Sequence, residues 1–378
     1  MSRPDGVATL REGGRVPELD GIRGVAILLV LSLHWIALPA RAALRDLSPN
    51  LAALAGIAWC GVDLFFVLSG FLIAGILLDH AEAPRVFRTF YLRRACRILP
   101  AYLVLLILAA LPLAGSSLIS QGSVPLGAYL LFLQNYWSAA GARVAEALSP
   151  CWSLAIEEQF YLLLPVLLLR VFRRHFGAFA AVLLVAPPLL RCFLFAHGGP
   201  VSPWDFTPSR LDAPFWGVLA AVLVRDPRIS AFLARRSRGL GLAAIGGVLA
   251  VAALSQLTLL PNGETLLLSL GLSVMGCAFA LALVAVLFNP ASAAARLMRS
   301  RPLRWAGKHS YFLYLFHQLV FGSLAIAPLP LRVAASAVVL GILAVTSWRL
   351  LESPFLRLGA AVPYGEAVQA APAADAAS

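Results

Sequence analysis

Residues 22–35 read IRGVAILLVLSLHW, an aliphatic run with an arginine near its start and a histidine near its end. Arg23 and His34 stand eleven residues apart. At 3.6 residues per turn that is close to three whole turns, so both side chains leave one face of a helix with about 16 Å between them. A helix that only anchored the chain in lipid has no use for either, because ionisable groups are costly in hydrocarbon. The stretch predicts a membrane helix that contributes to a site.

The rest of the chain is built for the same solvent. Of 378 residues 60% are hydrophobic and 13% charged, and the mean hydropathy is +0.85. A soluble domain carries about 25% charged residues, so no water-facing shell is available. Apolar segments lie at about 22–40, 54–78, 98–114, 124–137, 152–171, 176–196, 213–224, 239–258, 265–288, 310–328 and 331–350. Most approach the roughly 20 residues a helix needs to cross a bilayer core. The expectation is an all-α polytopic integral membrane helical bundle. The formal charge of +12 is almost all arginine, with Lys308 the single lysine. These arginines cluster between apolar segments rather than along one soluble face, which speaks for cytoplasmic loops and against nucleic acid. The five cysteines show neither zinc nor redox spacing.

Arginine bias also orients the chain. The rich connections are DHAEAPRVFRTFYLRRACR, RVFRRHF, RDPRISAFLARRSRG, ARLMRSRPLRWAGK and RLLESPFLRLG; the poor ones are SSLISQGSVPLG and QLTLLPNGET. If all eleven segments cross, RVFRRHF falls outside. If 124–137 does not cross, every rich cluster falls inside. That segment is short, in the length class of re-entrant pieces. About ten transmembrane helices plus one re-entrant or short segment, with both termini cytoplasmic, is the consistent reading. Residues 1–357 form one transmembrane domain, and the small, polar 358–378 is expected to be a disordered cytoplasmic tail.

Ionisable residues at membrane depth mark the candidate site. His34 lies about five residues from the outer end of its helix and Glu157 about six, so both sit about 8 Å below the outer surface. Glu157 shares a face with Ser153 and Tyr161, at i−4 and i+4. The shared depth predicts that His34 and Glu157 meet within one hydrogen bond or one water. The competing reading for Glu157 is an ion pair that locks two helices. In GVDLFFVLSGFL, Asp63 faces the same way as Gly70, where a backbone or ligand has room to approach. Arg210 and Asp212 of RLDAPFWG read as a polar rim or an entry salt bridge. His317 shares a face with Ser310 and Tyr314, and a lone histidine there is more often a satisfied core residue. Asp63, Ser69, Ser153, Tyr161, Arg210, Asp212 and His317 form the acceptor-binding or structural polar set. On the inner side, Arg94 and Arg97 of FYLRRACRILP share one face, and their guanidinium forks suit phosphates.

Together these motifs resemble the membrane-bound acyltransferase-3 family, whose members O-acylate carbohydrates and other envelope or secreted molecules. LDGIRGVAILLVLSLHW looks like the family's opening helix, and GVDLFFVLSGFLI, FYLRRACRILPAY, WSLAIEEQFYLLLP, SRLDAPFWG, SYFLYLFHQ and LESPF look like its later landmarks in order, over about residues 18–357. The resemblance implies an acyl-CoA donor, acetyl-CoA above all, held from the cytoplasmic side by Arg23, Arg94 and Arg97. It also implies a carbohydrate or glycoside hydroxyl as acceptor, His34 as the essential histidine, and residence in the bacterial cytoplasmic (inner) membrane. No permanently bound cofactor or metal is implied. His34 acts either as base or as transient acyl carrier, with Glu157 fixing its tautomer as a triad carboxylate does. A proton-coupled permease is the second reading of the same residues, and a structural partner in polysaccharide export the third.

Overall fold

The computed structural model describes residues 16–111, 118–171, 175–198, 201–256, 263–325 and 327–365, which hold helices and no strand. A helix falls on each of the ten segments expected to cross. These are α1 (Pro17–Ser32), α2 (Cys60–Asp79), α3 (Val86–Ala110), α4 (Cys151–Val166), α5 (Phe176–His197), α6 (Asp212–Leu223), α7 (Pro227–Gln256), α8 (Leu272–Phe288), α9 (Ser310–Ser323) and α10 (Leu329–Ser347). By length and apolarity, the stretches containing α1, α2, α5, α7, α8 and α10 can each cross a membrane. The other four carry charge inside the helix, as α3 and α4 do, or are short, with 12 residues in α6 and 14 in α9. The protein is an all-α polytopic membrane protein.

Segment 124–137 is no continuous helix. Leu126–Leu130 and Gln134–Ala139 are separate pieces, broken at Phe132, whose φ is +53°. Left-handed backbone at a bulky residue is rare. It is held here by stacking of the Phe132 ring on Tyr102 at 4.8 Å and by Gln159 Nε2 donating to the Phe132 carbonyl at 2.7 Å.

Two ion pairs show how α2 and α6 run. Arg210, just before α6, binds Asp63 near the start of α2 at 3.0 Å. Arg225, just after α6, binds Asp79 at the end of α2 at 2.7 Å. The helices are therefore parallel. If α3, α4 and α5 each cross once, parallel directions leave no further crossing for 124–137.

α2 is the centre of the bundle. It is mostly buried, against α1, α4, α6 and α8. Its contact with α6 is backbone to backbone, since a Cβ on Gly70 would overlap the Pro214 carbonyl and one on Gly217 the Val67 carbonyl. What Gly70 admits is thus a neighbouring helix. Small residues at such crossings give membrane helices the close packing that lipid cannot drive hydrophobically. α5, α7 and α10 lie at the periphery and expose Leu189, Phe193, Leu242, Leu249, Val338 and Ile342. That surface suits hydrocarbon and would be an aggregation patch in water.

Beyond α10, a helix at Ser353–Ala360 packs against α3. The tail boundary expected at 358 thus falls inside a helix, and the chain stays packed to the buried Tyr364. The reason is on α3: Arg93 donates to the Val362 carbonyl at 2.8 Å and lies 4.6 Å over the Tyr364 ring, while Thr89 donates to the Pro363 carbonyl. Residues 366–378 lie outside the described residues.

Candidate functional site

Three guanidiniums from two helices meet at one cavity of about 180 Å³: Arg23 of α1 and Arg94 and Arg97 of α3. One helical turn separates Arg94 from Arg97, so both face inward while Arg93 turns to the C-terminal segment. Arg23 has an acid partner, Asp20, at 3.4 Å. Among the described residues no carboxylate lies within salt-bridge distance of Arg94 or Arg97. Arg94 Nε is buried without a hydrogen-bond partner.

α4 supplies the polar stripe that the spacing predicts. Ser153, Glu157 and Tyr161 all line the cavity, with Ser69 of α2. The Tyr161 hydroxyl donates to Glu157 at 3.1 Å. Its single proton is then used, so the Ser69 hydroxyl bound to it is the donor of that pair. Ser153 and the Tyr314 hydroxyl of α9 are 2.5 Å apart and join α4 to α9. Glu158 points elsewhere, with Oε1 buried and without a partner.

His34 lies in a π turn, Leu33–Ala37, that continues α1. Its Nδ1 is 2.9 Å from the Val30 carbonyl. A carbonyl only accepts, so the ring proton is on Nδ1 and Nε2 keeps its lone pair. No direct hydrogen bond joins His34 to Glu157. Glu157 bonds Tyr161 in the arginine cavity, whereas the ring of His34 packs on that of His317, with centroids 4.8 Å apart. Depth counts residues along a helix axis and says nothing of the direction around it. The two regions are linked all the same, because Tyr314, bound to Ser153, has its ring 5.9 Å from that of His317.

Arg210 and Asp212 form no rim. Each is about 1% exposed, and each pairs with another helix. Residues two apart do not face each other on a helix. Arg210 reaches Asp63 and lies 4.8 Å over the Trp204 ring, with Trp152 and Phe66 close by. Asp212 receives both Nη atoms of Arg191, at 3.0 and 2.8 Å. Arg191 also donates to the Ser269 carbonyl and to Ser273. Sequence reading passed over Arg191; an arginine near the outer end of an apolar run was the available signal.

A second network outside the predicted set steadies the stretch before α4. Gln159 donates to Asn135 at 2.9 Å, Thr207 to Gln159 at 2.6 Å, and Asn135 to Thr207 at 2.8 Å. In the loop before α6, burial raises the Asp205 carboxyl above its ordinary value, with the Ser138 hydroxyl and the Arg210 charge opposing. No group of three His, Cys, Asp or Glu side chains converges as a metal cluster among the described residues.

The profile of the acyltransferase-3 family, described as an acyltransferase domain, matches residues 16–348. A Staphylococcus aureus (strain COL) protein named provisionally as an O-acetyltransferase is 29% identical over 95% of this chain and 60% of its own length. The peptidoglycan O-acetyltransferase OatA of Listeria monocytogenes is 27% identical over 80% of this chain and 49% of its own. The O-acetyltransferase OatA of Staphylococcus aureus (strain NCTC 8325) is 26% identical over 91% of this chain and 58% of its own. The chain thus spans about half to three-fifths of the length of these relatives. No solved structure matches it.

Proposed function

Because the chain belongs to the acyltransferase-3 family, we propose that it is a membrane O-acetyltransferase, moving an acetyl group from acetyl-CoA on the cytoplasmic side to a hydroxyl of a carbohydrate or glycoside. The observation that carries this reading is the arginine cavity, in which Arg94 and Arg97 have no acid partner within salt-bridge distance. Coenzyme A is polyanionic at its nucleotide end, and a guanidinium fork matches phosphate oxygens two at a time. The setting is the bacterial cytoplasmic membrane, with both termini inside.

The thioester end of the donor then extends past Glu157, Ser153 and Tyr314 toward His34. There the acceptor hydroxyl oxygen attacks the thioester carbon and its proton passes to Nε2 of His34, the ring nitrogen left free by the Nδ1 bond to Val30. As the tetrahedral intermediate collapses, the C–S bond breaks and the thiolate leaves with the electron pair. The proton moves from His34 to sulfur. Glu157 acts at the donor end, through Tyr161 and Ser69, rather than on the imidazole. The acceptor class takes support from the Listeria relative, named for peptidoglycan, a carbohydrate polymer rich in hydroxyls.

The test is transfer by purified protein in proteoliposomes supplied with acetyl-CoA labelled in the acetyl group. Wild-type protein should label a glycan acceptor, and His34→Ala should remain folded and transfer nothing. A wild-type protein that neither binds acetyl-CoA nor transfers label overturns the reading and points to a permease.

A further inference from the structure

His317, on α9, has no exposed surface. Its Nδ1 is 2.6 Å from the Tyr314 carbonyl. That carbonyl can only accept, so Nδ1 carries the ring proton and Nε2 is a lone pair. This Nε2 is buried and has no hydrogen-bond partner. An unpaired buried acceptor is costly, and such groups in native proteins call for a reason. The rings beside it are those of Tyr314, at 5.9 Å, and His34, at 4.8 Å.

Val30 holds His34 in the same tautomer. Two neutral imidazoles that both present Nε2 as a lone pair have no hydrogen bond to make with each other. One proton added to Nε2 of His34 changes that, because the new N–H can donate to the second ring. We propose, on the reading that acetyl transfer occurs at His34, that His317 is the positioning residue that holds the charged form of His34 during the reaction. When the attacking hydroxyl gives up its proton, Nε2–H of His34 donates to Nε2 of His317. When the C–S bond breaks and the proton goes on to sulfur, both rings are neutral again. In a hydrolase triad a carboxylate holds the imidazolium; here a second imidazole does. The charged group facing His34 from the segment before α4 is Glu146, which is exposed and screened by water. Tyr314 is the titratable neighbour on the α9 side.

The test compares His317→Phe, which fills the space without a lone pair, with His317→Gln, whose Oε1 accepts. His317→Phe should lower kcat about 10- to 100-fold, the worth of a hydrogen bond to a charged group, while KM for acetyl-CoA stays within about twofold. His317→Gln should recover most of that loss. A Phe variant with wild-type kcat overturns the inference, as does a Gln variant no better than Phe. Nitrogen-15 histidine NMR on wild-type protein needs no variant to fold. It should show both rings with the proton on Nδ1 and, on acidification, a coupling between the two Nε2 atoms across one shared proton. Two rings that charge separately overturn the inference. Wild-type protein without acetyl transfer fails the enzymatic reading instead, and the NMR result still decides the pair.

Discussion

The protein places two kinds of arginine inside its bundle. Arg191 and Arg210 are buried against carboxylates, Asp212 and Asp63, and bind helices to one another. Arg94 and Arg97 line a cavity and have no carboxylate within salt-bridge distance among the described residues. A cation whose charge is balanced inside the fold closes the structure. A cation with no carboxylate in contact, in a chain whose fully buried Arg191 and Arg210 are both ion-paired, keeps its affinity for an anion arriving from outside. The same side chain thus does structural work in one place and binding work in another, and its neighbours decide which.

The largest effect should follow from breaking a closed pair. Asp63→Ala leaves Arg210 buried and uncompensated, which costs about 3–5 kcal/mol, against a total stability of about 5–15 kcal/mol for a typical protein. Little folded protein should be recovered from membranes, as read by size exclusion and thermal melting in detergent. Removing both charges, as Asp63→Leu with Arg210→Met, should restore folding, because replacing a whole buried pair is often neutral. A stable, monodisperse Asp63→Ala protein would erase the distinction between the two sets.

The cavity set should respond in the opposite way. Arg94→Gln with Arg97→Gln removes no internal ion pair, so the melting temperature should stay close to wild type. Acetyl-CoA affinity should fall by about 100-fold or more, taking about 1.5–3 kcal/mol for each hydrogen bond to a charged group. Lysine at both positions should recover only part of it, since a point charge lacks the fork. Unchanged acetyl-CoA affinity in nanodiscs would remove the donor site from this cavity.

Which arginine belongs to which set was only partly legible in the sequence. Period 3.6 separated Arg94 and Arg97 from Arg93, and it put Ser153, Glu157 and Tyr161 on one stripe; all of these line the cavity except Arg93. Segment lengths and arginine bias found the ten helices and the broken piece. Contacts between helices were out of reach, because a pattern along one helix carries no record of its neighbour. Asp63 with Arg210 and Asp212 with Arg191 span 147 and 21 positions. His34 meets His317 rather than Glu157 for the same reason. Arg191 was hidden by its setting, a single charge in an otherwise apolar run, with its partners on other helices.

A smaller effect should come from Glu157. It lines the arginine cavity and bonds Tyr161, with no hydrogen bond to His34. Glu157→Gln keeps an acceptor for Tyr161 and removes one negative charge beside three cations. Acetyl-CoA affinity should therefore rise a few-fold, with kcat reduced by less than about tenfold. A kcat loss as deep as that of His34→Ala, at unchanged affinity, would return Glu157 to the imidazole and move it out of the donor set.

The smallest expected effect is on activity that should not change at all, yet it bears on where the two arginine sets lie. Arg94 and Arg97 lie in the N-terminal half of α3, and Arg210 sits at the start of α6. If 124–137 turns back, α3 and α6 begin on opposite sides of the membrane. The cavity set is then cytoplasmic and the Arg210 pair is at the far face. If 124–137 crosses, both begin on the same side, and α2 and α6 could not run parallel as their two end-to-end ion pairs require. Gln121 and Ala140 flank the segment and are both exposed. The native cysteines are free thiols, so they can be replaced without opening a disulfide. On that background Gln121→Cys and Ala140→Cys should both react with a membrane-impermeant maleimide from outside the cell, with transfer activity close to that of the cysteine-free parent. Reaction of the two from opposite sides would break the parity argument. It would also put the paired and the unpaired arginines at the same face, where an anion entering for one set would meet the other.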